Sequence, residues 1–314
     1  MTSCIIFTNK INLSGKIAIY RPSRNIHPLE AIFNSKQPSP SFQKIITDLV
    51  NNNVLRKIIS SRRVFPSFLI PKKNGNFRLV NDFRQINKLL ADAPYPLPQI
   101  RGVLRRRSSF RYVSVIDIIS QFYHFNLDPP SRQLCVIITP FGLYQYLRLP
   151  MGIKISPSFA QSVMDSLFGL DGNVEVFMDD IVIYTNGSFE LHLEDLHKVL
   201  IVLSHENLLV NKSTCTFATA EVEYLGHEIT TQGIKPQIRK ISTILNLEEP
   251  TTVKQLRSFI GLINYYRDFI PRRSQVLAPL TNLTSPKIPF QWSKSCRAAF
   301  KNLQLALAKS TLLA

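Results

Sequence analysis

Phe177-Met178-Asp179-Asp180 stands between two apolar runs, Val174 to Phe177 and Ile181 to Tyr184. Such runs read as the arms of a β-hairpin with the paired carboxylates at its tip. Asp is a common turn residue, so taken alone the pair reads equally well as a polar turn. Set among apolar residues, however, unpaired carboxylates either neutralise or find a cation. A third carboxylate ends another apolar run, Tyr112-Val113-Ser114-Val115-Ile116-Asp117. Three Asp at the ends of two neighbouring strands can hold the two metals of an in-line phosphoryl transfer. Mg²⁺ suits them, since it takes one or two carboxylates together with substrate phosphate oxygens.

The rest of the chain is strongly basic. Its 314 residues carry 38 Lys and Arg against 21 Asp and Glu, a net charge of +17. This balance points to a polyanionic partner. The charge is unevenly spread: Val54 to Arg111 holds 14 basic residues and only two acids, Asp82 and Asp92. Asp165 to Glu206 holds nine acids and one base, Lys198. One region is suited to phosphate and the other to metal, although a solvated face is the usual fate of a basic run. The hydrophobic content of 45% suffices for a core and for two or three subdomains.

Cys4, Cys135, Cys215 and Cys296 are far apart, and no Cys/His pair has zinc spacing. They read as reduced thiols of an intracellular protein. No apolar run reaches the length of a membrane span, and Met1 to Lys10 lacks a leader pattern.

Residues 1–40 include Pro22, Pro28, Pro38 and Pro40 and read as an extended lead-in. Periodicity over 41–59 (Phe42, Ile45, Ile46, Leu49, Val50) predicts a helix capped by Ser41. Phe65 to Phe83 alternates around Lys73-Asn74-Gly75-Asn76, a hairpin signal. Ala93-Pro94-Tyr95-Pro96-Leu97-Pro98 is extended. A helix should begin at Ser156-Pro157, with Ser at the N-cap and Pro in the first turn. Another, over 189–206, should bury Leu196, Val199, Leu200 and Leu203. Tyr224 to Ile229 reads as one strand ending near Gly233. The last eighty residues read as helical: Thr252 to Gln255 matches a capping box, and Val253, Leu256, Phe259, Ile260, Ile263 and Tyr266 form a stripe stopped by Pro271.

Five blocks follow in order: the basic hairpin with Phe77-Arg78; Asp117; Leu149-Pro150-Met151-Gly152; Met178-Asp179-Asp180; and Tyr224-Leu225-Gly226-His227. In this order and spacing the chain resembles a reverse transcriptase from about residue 40 onward. Four segments narrow the resemblance to gypsy-type LTR retrotransposons: Tyr95 to Pro98; Thr139-Pro140-Phe141-Gly142-Leu143-Tyr144; Glu223 to His227; and Leu256-Arg257-Ser258-Phe259-Ile260-Gly261-Leu262-Ile263-Asn264-Tyr265-Tyr266-Arg267.

The resemblance implies an α+β right-hand polymerase. The lead-in would span 1–40, the fingers 41–92 with 125–150, and the palm 93–124 and 151–232. The thumb and the start of the connection would span 233–314. Asp117, Asp179 and Asp180 would be the catalytic carboxylates and would bind two Mg²⁺ ions, with Mn²⁺ as a substitute and the Ile118 carbonyl as a further ligand. Lys72 and Arg78 would grip the triphosphate of an incoming dNTP. Ser120, Gln121, Phe122 and Met151 would complete the nucleotide site. Phe122 would be the steric gate against a ribose 2′-OH, its plainer alternative being core packing. Gly152, Ser156, Pro157, Met178, Leu225 and Gly226 would contact the RNA or DNA template-primer. No membrane partner is implied. The location implied is intracellular: cytoplasmic, virus-like particles included, or nuclear.

The chain departs from the family pattern at several places. Gln121 replaces a small residue, Met151 a Phe or Gln, and Asn74 an Asp; Phe159 sits one place early. Thr214 stands where the family has a Lys before Cys215, with Lys212 nearby. These departures leave open a catalytically degenerate nucleic-acid-binding subunit, and the palm aspartates alone also fit an RNA-dependent RNA polymerase. Leu312-Leu313-Ala314 falls about where such polyproteins enter a ribonuclease H domain. With no acid from Arg272 to Ala314, no ribonuclease H activity is expected.

Overall fold

The computed structural model describes residues 39–72, 75–91, 95–96, 110–169 and 172–309. Cys4, Lys73, Asn74, most of the lead-in over 1–40, most of the 93–98 stretch and the chain end Leu312-Leu313-Ala314 lie outside the described residues. The chain divides into two compact units. The first comprises Met1–Pro98, Ile116–Val182 and Asp195–Cys215; the second comprises Gln99–Val115, Ile183–Glu194 and Thr216–Ala314.

The first unit opens with the helix Pro40–Asn51. Its cap is Ser39, whose Oγ accepts from the Phe42 N–H, and not Ser41, because Pro40 already occupies the first turn. The helix also ends well before residue 59. Asn53 turns into the left-handed region at φ 54°, and Leu55–Ile58 becomes strand β1. Pairing of β1 along Gly142–Tyr146 (β6), Leu55 opposite Tyr146, overrides the local helical period.

Numbered along the chain, β1 joins β2 (Phe65–Pro71), β3 (Phe77–Asn81), β5 (Val136–Thr139) and β6 in a sheet ordered β1-β6-β5-β2-β3. The expected hairpin is β2–β3, with Ser67 opposite Asn81 and Pro71 opposite Phe77. Its base is anchored in the core: Phe83 packs edge-on against Phe65 at 5.2 Å and Tyr146 at 6.3 Å. The Asn81 amide donates to the Tyr146 hydroxyl at 2.8 Å. Toward its far end Pro71, Lys72, Gly75, Asn76 and Phe77 are exposed.

A second sheet, ordered β7-β8-β4-β9, contains β4 (Tyr112–Asp117), β7 (Val174–Phe177), β8 (Asp180–Thr185) and β9 (Thr216–Thr219). The arms of the carboxylate hairpin are β7 and β8. The centre of β4, Val113 to Ile116, is buried throughout, so its apolar run does not alternate. The helix Ser156–Phe168 packs Ala160 and Met164 into the interior. Ser156 is its first residue, not its cap, and donates its hydroxyl to the Pro150 carbonyl.

The helix Phe189–His205 buries Leu196, Val199 and Leu203 as expected, but Leu200 is exposed. The stripe belongs instead to His192, fully buried between the hydroxyls of Ser114 (2.8 Å) and Thr185 (2.9 Å).

In the second unit, 221–236 is a meander rather than one strand: β10 (Glu221–Tyr224), β11 (His227–Thr230) and β12 (Gly233–Pro236). The chain reverses at Leu225 (φ 46°) and Gly226 (φ 71°). Helices Ile238–Leu245, Val253–Tyr265, Arg273–Asn282 and Lys294–Ala308 follow. The capping box at Thr252 and Gln255 forms, and Leu256, Phe259 and Ile263 make the buried stripe. No helix among the described residues is long and apolar enough to cross a membrane.

Candidate active site

The turn between β7 and β8 forces Met178 into the left-handed region at φ 56°. Such a conformation in a residue with a Cβ needs support from its surroundings. Two glutamines give it. Gln161 Oε1 accepts the Met178 N–H at 2.8 Å, and Gln121 Nε2 donates to the Met178 carbonyl at 2.8 Å. Gln161 is wholly buried and also donates to the Val176 carbonyl and to Asp165. Asp179 and Asp180 therefore start from a fixed peptide.

Asp117 arrives at the same place from β4. The Ile118 N–H donates to the Asp179 carbonyl at 2.9 Å. On the other side, the Asn211 N–H donates to the Asp117 carbonyl at 2.9 Å, and the Thr214 hydroxyl donates to Asp117 Oδ2 at 2.5 Å. After Asp117 the chain turns sharply: Ser120 has φ 49° and is followed by a single 3₁₀ turn, Gln121–His124.

Electrostatics mark the carboxylates as crowded. Burial pushes the Asp180 carboxyl up to about 6, and the negative charges of Asp179 and Asp117 add to the shift. Asp179 has an exposed side chain, yet desolvation by its surroundings still raises it; Asp117 raises it further, while the Arg78 guanidinium pulls the other way. Among the described residues no three His, Cys, Asp or Glu side chains form a group that could hold a metal ion by themselves. Hard oxygen donors that repel one another fit a divalent ion whose remaining ligands come from a phosphate substrate.

A cavity of about 570 Å³ opens here. Asp117, Ile118 and Asp179 line it, as do Lys72, Phe77 and Arg78 of the β2–β3 hairpin, and Ser120, Gln121, Phe122, Met151, Pro157 and Met178. That volume lies in the range of small-molecule sites. Phe122 is half-buried and packs against the core.

Five predicted residues do not line the cavity. Asp180 is half-buried at the start of β8. Gly152 sits at φ 95°, and its carbonyl is held by the Asn87 amide at 2.8 Å. Ser156 is buried and shapes the loop through Pro150. Leu225 and Gly226 belong to the second unit, where hydroxyls of the helix Val253–Tyr265 and its cap fix their turn. Tyr265 donates to the Leu225 carbonyl, and Tyr266 to the Gly226 carbonyl at 3.0 Å. A Cβ on Gly226 would meet the Tyr265 hydroxyl at 3.1 Å, so glycine is required by both φ and space.

Sequence reading missed Ile45, Leu49, Leu79, Ile119, Tyr123 and Asn211, which also line the cavity, and the role of Gln161. Ile45 and Leu49 are ordinary helix-stripe residues. Asn211 heads Asn-Lys-Ser-Thr, a turn signal that says nothing of its neighbours in space.

Comparison with known proteins gives the family and the fold. A family model described as reverse transcriptase (RNA-dependent DNA polymerase) matches residues 70–229. The chain is 31% identical over 309 residues to a retrovirus-related Pol polyprotein from transposon 412 of Drosophila melanogaster, covering 94% of this chain and 25% of that protein. It is 28% identical over 279 residues to the transposon Tf2-3 polyprotein of Schizosaccharomyces pombe, covering 87% of this chain and 21% of that protein. The chain thus spans about a quarter of the length of these relatives. Among solved structures, a foamy viral protease-reverse transcriptase in complex with dsDNA superposes with TM-score 0.81 at 26% identity, over 99% of this chain and 64% of that one. The same viral protein in complex with an RNA/DNA hybrid gives TM-score 0.79 at 26% identity, over 99% of this chain and 41% of that one. The fold class is therefore the α+β right-hand class that the sequence implied.

Proposed function

Because this chain belongs to the reverse transcriptase (RNA-dependent DNA polymerase) family, we propose that it extends a primer with dNTPs on an RNA or DNA template. The observation that carries the reading is the cavity that two carboxylates, Asp117 and Asp179, share with the basic pair Lys72 and Arg78. A nucleoside triphosphate has the matching polarity: its phosphates suit the basic wall, and its reacting phosphorus belongs beside the carboxylates.

In this reading Asp117, Asp179, Asp180 and the Ile118 carbonyl would hold two Mg²⁺ ions, with Mn²⁺ able to replace them. The ions would supply a lowered pKa for the primer 3′-hydroxyl and charge neutralisation for the pyrophosphate that leaves. The protein's own part is positioning. Arg78 offers a planar fork to phosphate oxygens, and Lys72 a point charge. Gln161 and Gln121 hold the Met178 peptide so that Asp179 and Asp180 need no reorganisation when substrate arrives. Phe122 stands where a sugar would lie and excludes a 2′-OH. Met151, Ser120 and Gln121 shape the base and sugar walls. Gly152, with Ser156 and Pro157 at the helix start, supports the template base, and Met178 the primer end. Leu225 and Gly226 grip the primer strand through a turn that Tyr265 and Tyr266 stiffen.

We assign the fingers to 41–92 with 125–150, the palm to 93–124 and 151–232, and the thumb with the start of the connection to 233–314, in a gypsy-type element. The free thiols Cys135, Cys215 and Cys296 support an intracellular location. The complexes of the foamy viral protein with dsDNA and with an RNA/DNA hybrid support a template-primer as the partner. The test is primer extension on RNA and DNA homopolymer templates with Mg²⁺. Retained duplex binding without extension would favour the degenerate subunit, and preference for rNTPs would favour an RNA polymerase.

A further inference from the structure

Among the described residues, the segment after β8 and its helix closes back on Asp117 along its whole approach. Val210 bridges Ile118, the Ile119 N–H donates to the Leu209 carbonyl at 2.8 Å, and the Asn211 N–H donates to the Asp117 carbonyl. The next residues form a tight turn: the N–H groups of Thr214 (3.0 Å) and Cys215 (3.2 Å) both donate to the Asn211 carbonyl. Ser213 braces the turn through the Asn211 side chain at 2.7 Å. Thr214 is exposed to solvent, but its backbone is fixed, and its hydroxyl reaches Asp117 Oδ2 at 2.5 Å. The same oxygen lies 3.1 Å from the Asn211 carbonyl, so of its two acceptors the carboxylate is the nearer.

We propose that Thr214 is a positioning residue for Asp117: its hydroxyl fixes the plane of the carboxylate and leaves the other oxygen presented to a divalent cation. This rests on the reading of Asp117 as a metal ligand. A lone Asp carboxylate on the rim of an open cavity rotates about its terminal torsion. A hydroxyl is a neutral donor, so it orients the carboxylate without cancelling its charge. Partners that orient metal ligands typically matter 10–100-fold in metal affinity or activity.

The experiment measures Mn²⁺ binding to the purified chain by the loss of free Mn²⁺ paramagnetic signal, alongside the Mg²⁺ dependence of primer extension. Thr214→Val keeps the shape and removes the donor; it should weaken Mn²⁺ binding by about tenfold and raise the Mg²⁺ midpoint similarly. Thr214→Ser restores the hydroxyl and should return both to within about twofold of wild type. A Thr214→Val protein with a lower melting temperature but an unchanged metal midpoint overturns the proposal, because the hydroxyl then serves the turn alone. Asp117→Asn separates the two readings. If it binds Mn²⁺ as wild type does, Asp117 is no ligand and the underlying reading fails. If it loses Mn²⁺ while Thr214→Val does not, only the role of Thr214 fails.

Discussion

Gln121 donates its side-chain amide to the Met178 carbonyl, 2.8 Å away, and this bond joins the turn after Asp117 to the turn before Asp179. Gln121 is nearly fully buried, and its amide has displaced the small residue usual at this point of the family pattern. Replacing it with Ala strands a carbonyl whose residue is already in the left-handed region. The expected cost is about 1–3 kcal/mol, read as a lower melting temperature. Gln161→Leu removes the acceptor for the Met178 N–H together with two donated bonds and should cost more than Gln121→Ala. Equal stability of wild type and both variants would show that the Met178 turn holds itself.

Asp179→Asn should reduce primer extension on the order of 10²–10³ or more, the scale on which lost electrostatic stabilisation of a transition state acts. Affinity for a primer–template duplex should change little, because the basic residues of the 54–111 region are untouched. Extension at near wild-type rate would remove Asp179 from the chemistry.

Duplex affinity should itself be steeply salt-dependent. For contacts to several phosphates, binding should fall roughly 10³-fold or more between about 50 and 200 mM salt. A shallow slope in fluorescence-anisotropy titrations would contradict the phosphate-binding reading of Lys72, Arg78 and their basic neighbours.

Asp180 sets a pH dependence for the metal-free protein. Its folded value of about 6 lies above the ordinary 3.8, so the folded state keeps a proton that the unfolded chain releases. This contribution is fully present below about pH 3.8 and is lost as pH rises to about 6. Its size is at most ~2 kcal/mol, since the side chain keeps some solvent contact. In a chelator, the melting temperature of wild type relative to Asp180→Asn should therefore drop across that window. Added Mg²⁺ should recover it at neutral pH. Parallel pH curves for the two proteins would place the strain elsewhere.

Phe122→Val and Phe122→Ala should raise ribonucleotide use relative to deoxynucleotide use, because a gate works by clash with the wrong substrate. Core packing predicts otherwise: a loss of about 3–5 kcal/mol for Phe→Ala, with both activities falling together. The ring is half-buried and lines the cavity while touching the core, so kcat/KM for both nucleotides is measured beside the melts. A constant ratio with a lowered melting temperature makes Phe122 a packing residue.

The residues proposed to carry the chemistry were legible because their signals are local. An Asp-Asp pair between apolar arms, a basic hairpin with its turn, and a Thr–Gln capping box each fall within a few residues, and periodicity of two or 3.6 reports them. Errors arose where distant partners overrode local preference. Helical periodicity over 41–59 continued past Asn51, but Leu55 found Tyr146 in another strand. Leu200 fitted a helical stripe, but the buried place went to His192, whose two ring nitrogens meet Ser114 and Thr185.

The sequence by itself determined which groups this protein has to work with: the carboxylates Asp117, Asp179 and Asp180, the cations Lys72 and Arg78, and the backbone freedom of Gly152 and Gly226. Only the tertiary structure decided how they are held. Gln121, Gln161 and Thr214 carry no periodic signal, and their partners lie 57, 17 and 97 residues away along the chain. A side-chain hydrogen bond needs its donor and acceptor within about 3 Å. That distance is set by the packing of the whole chain, which no local pattern encodes.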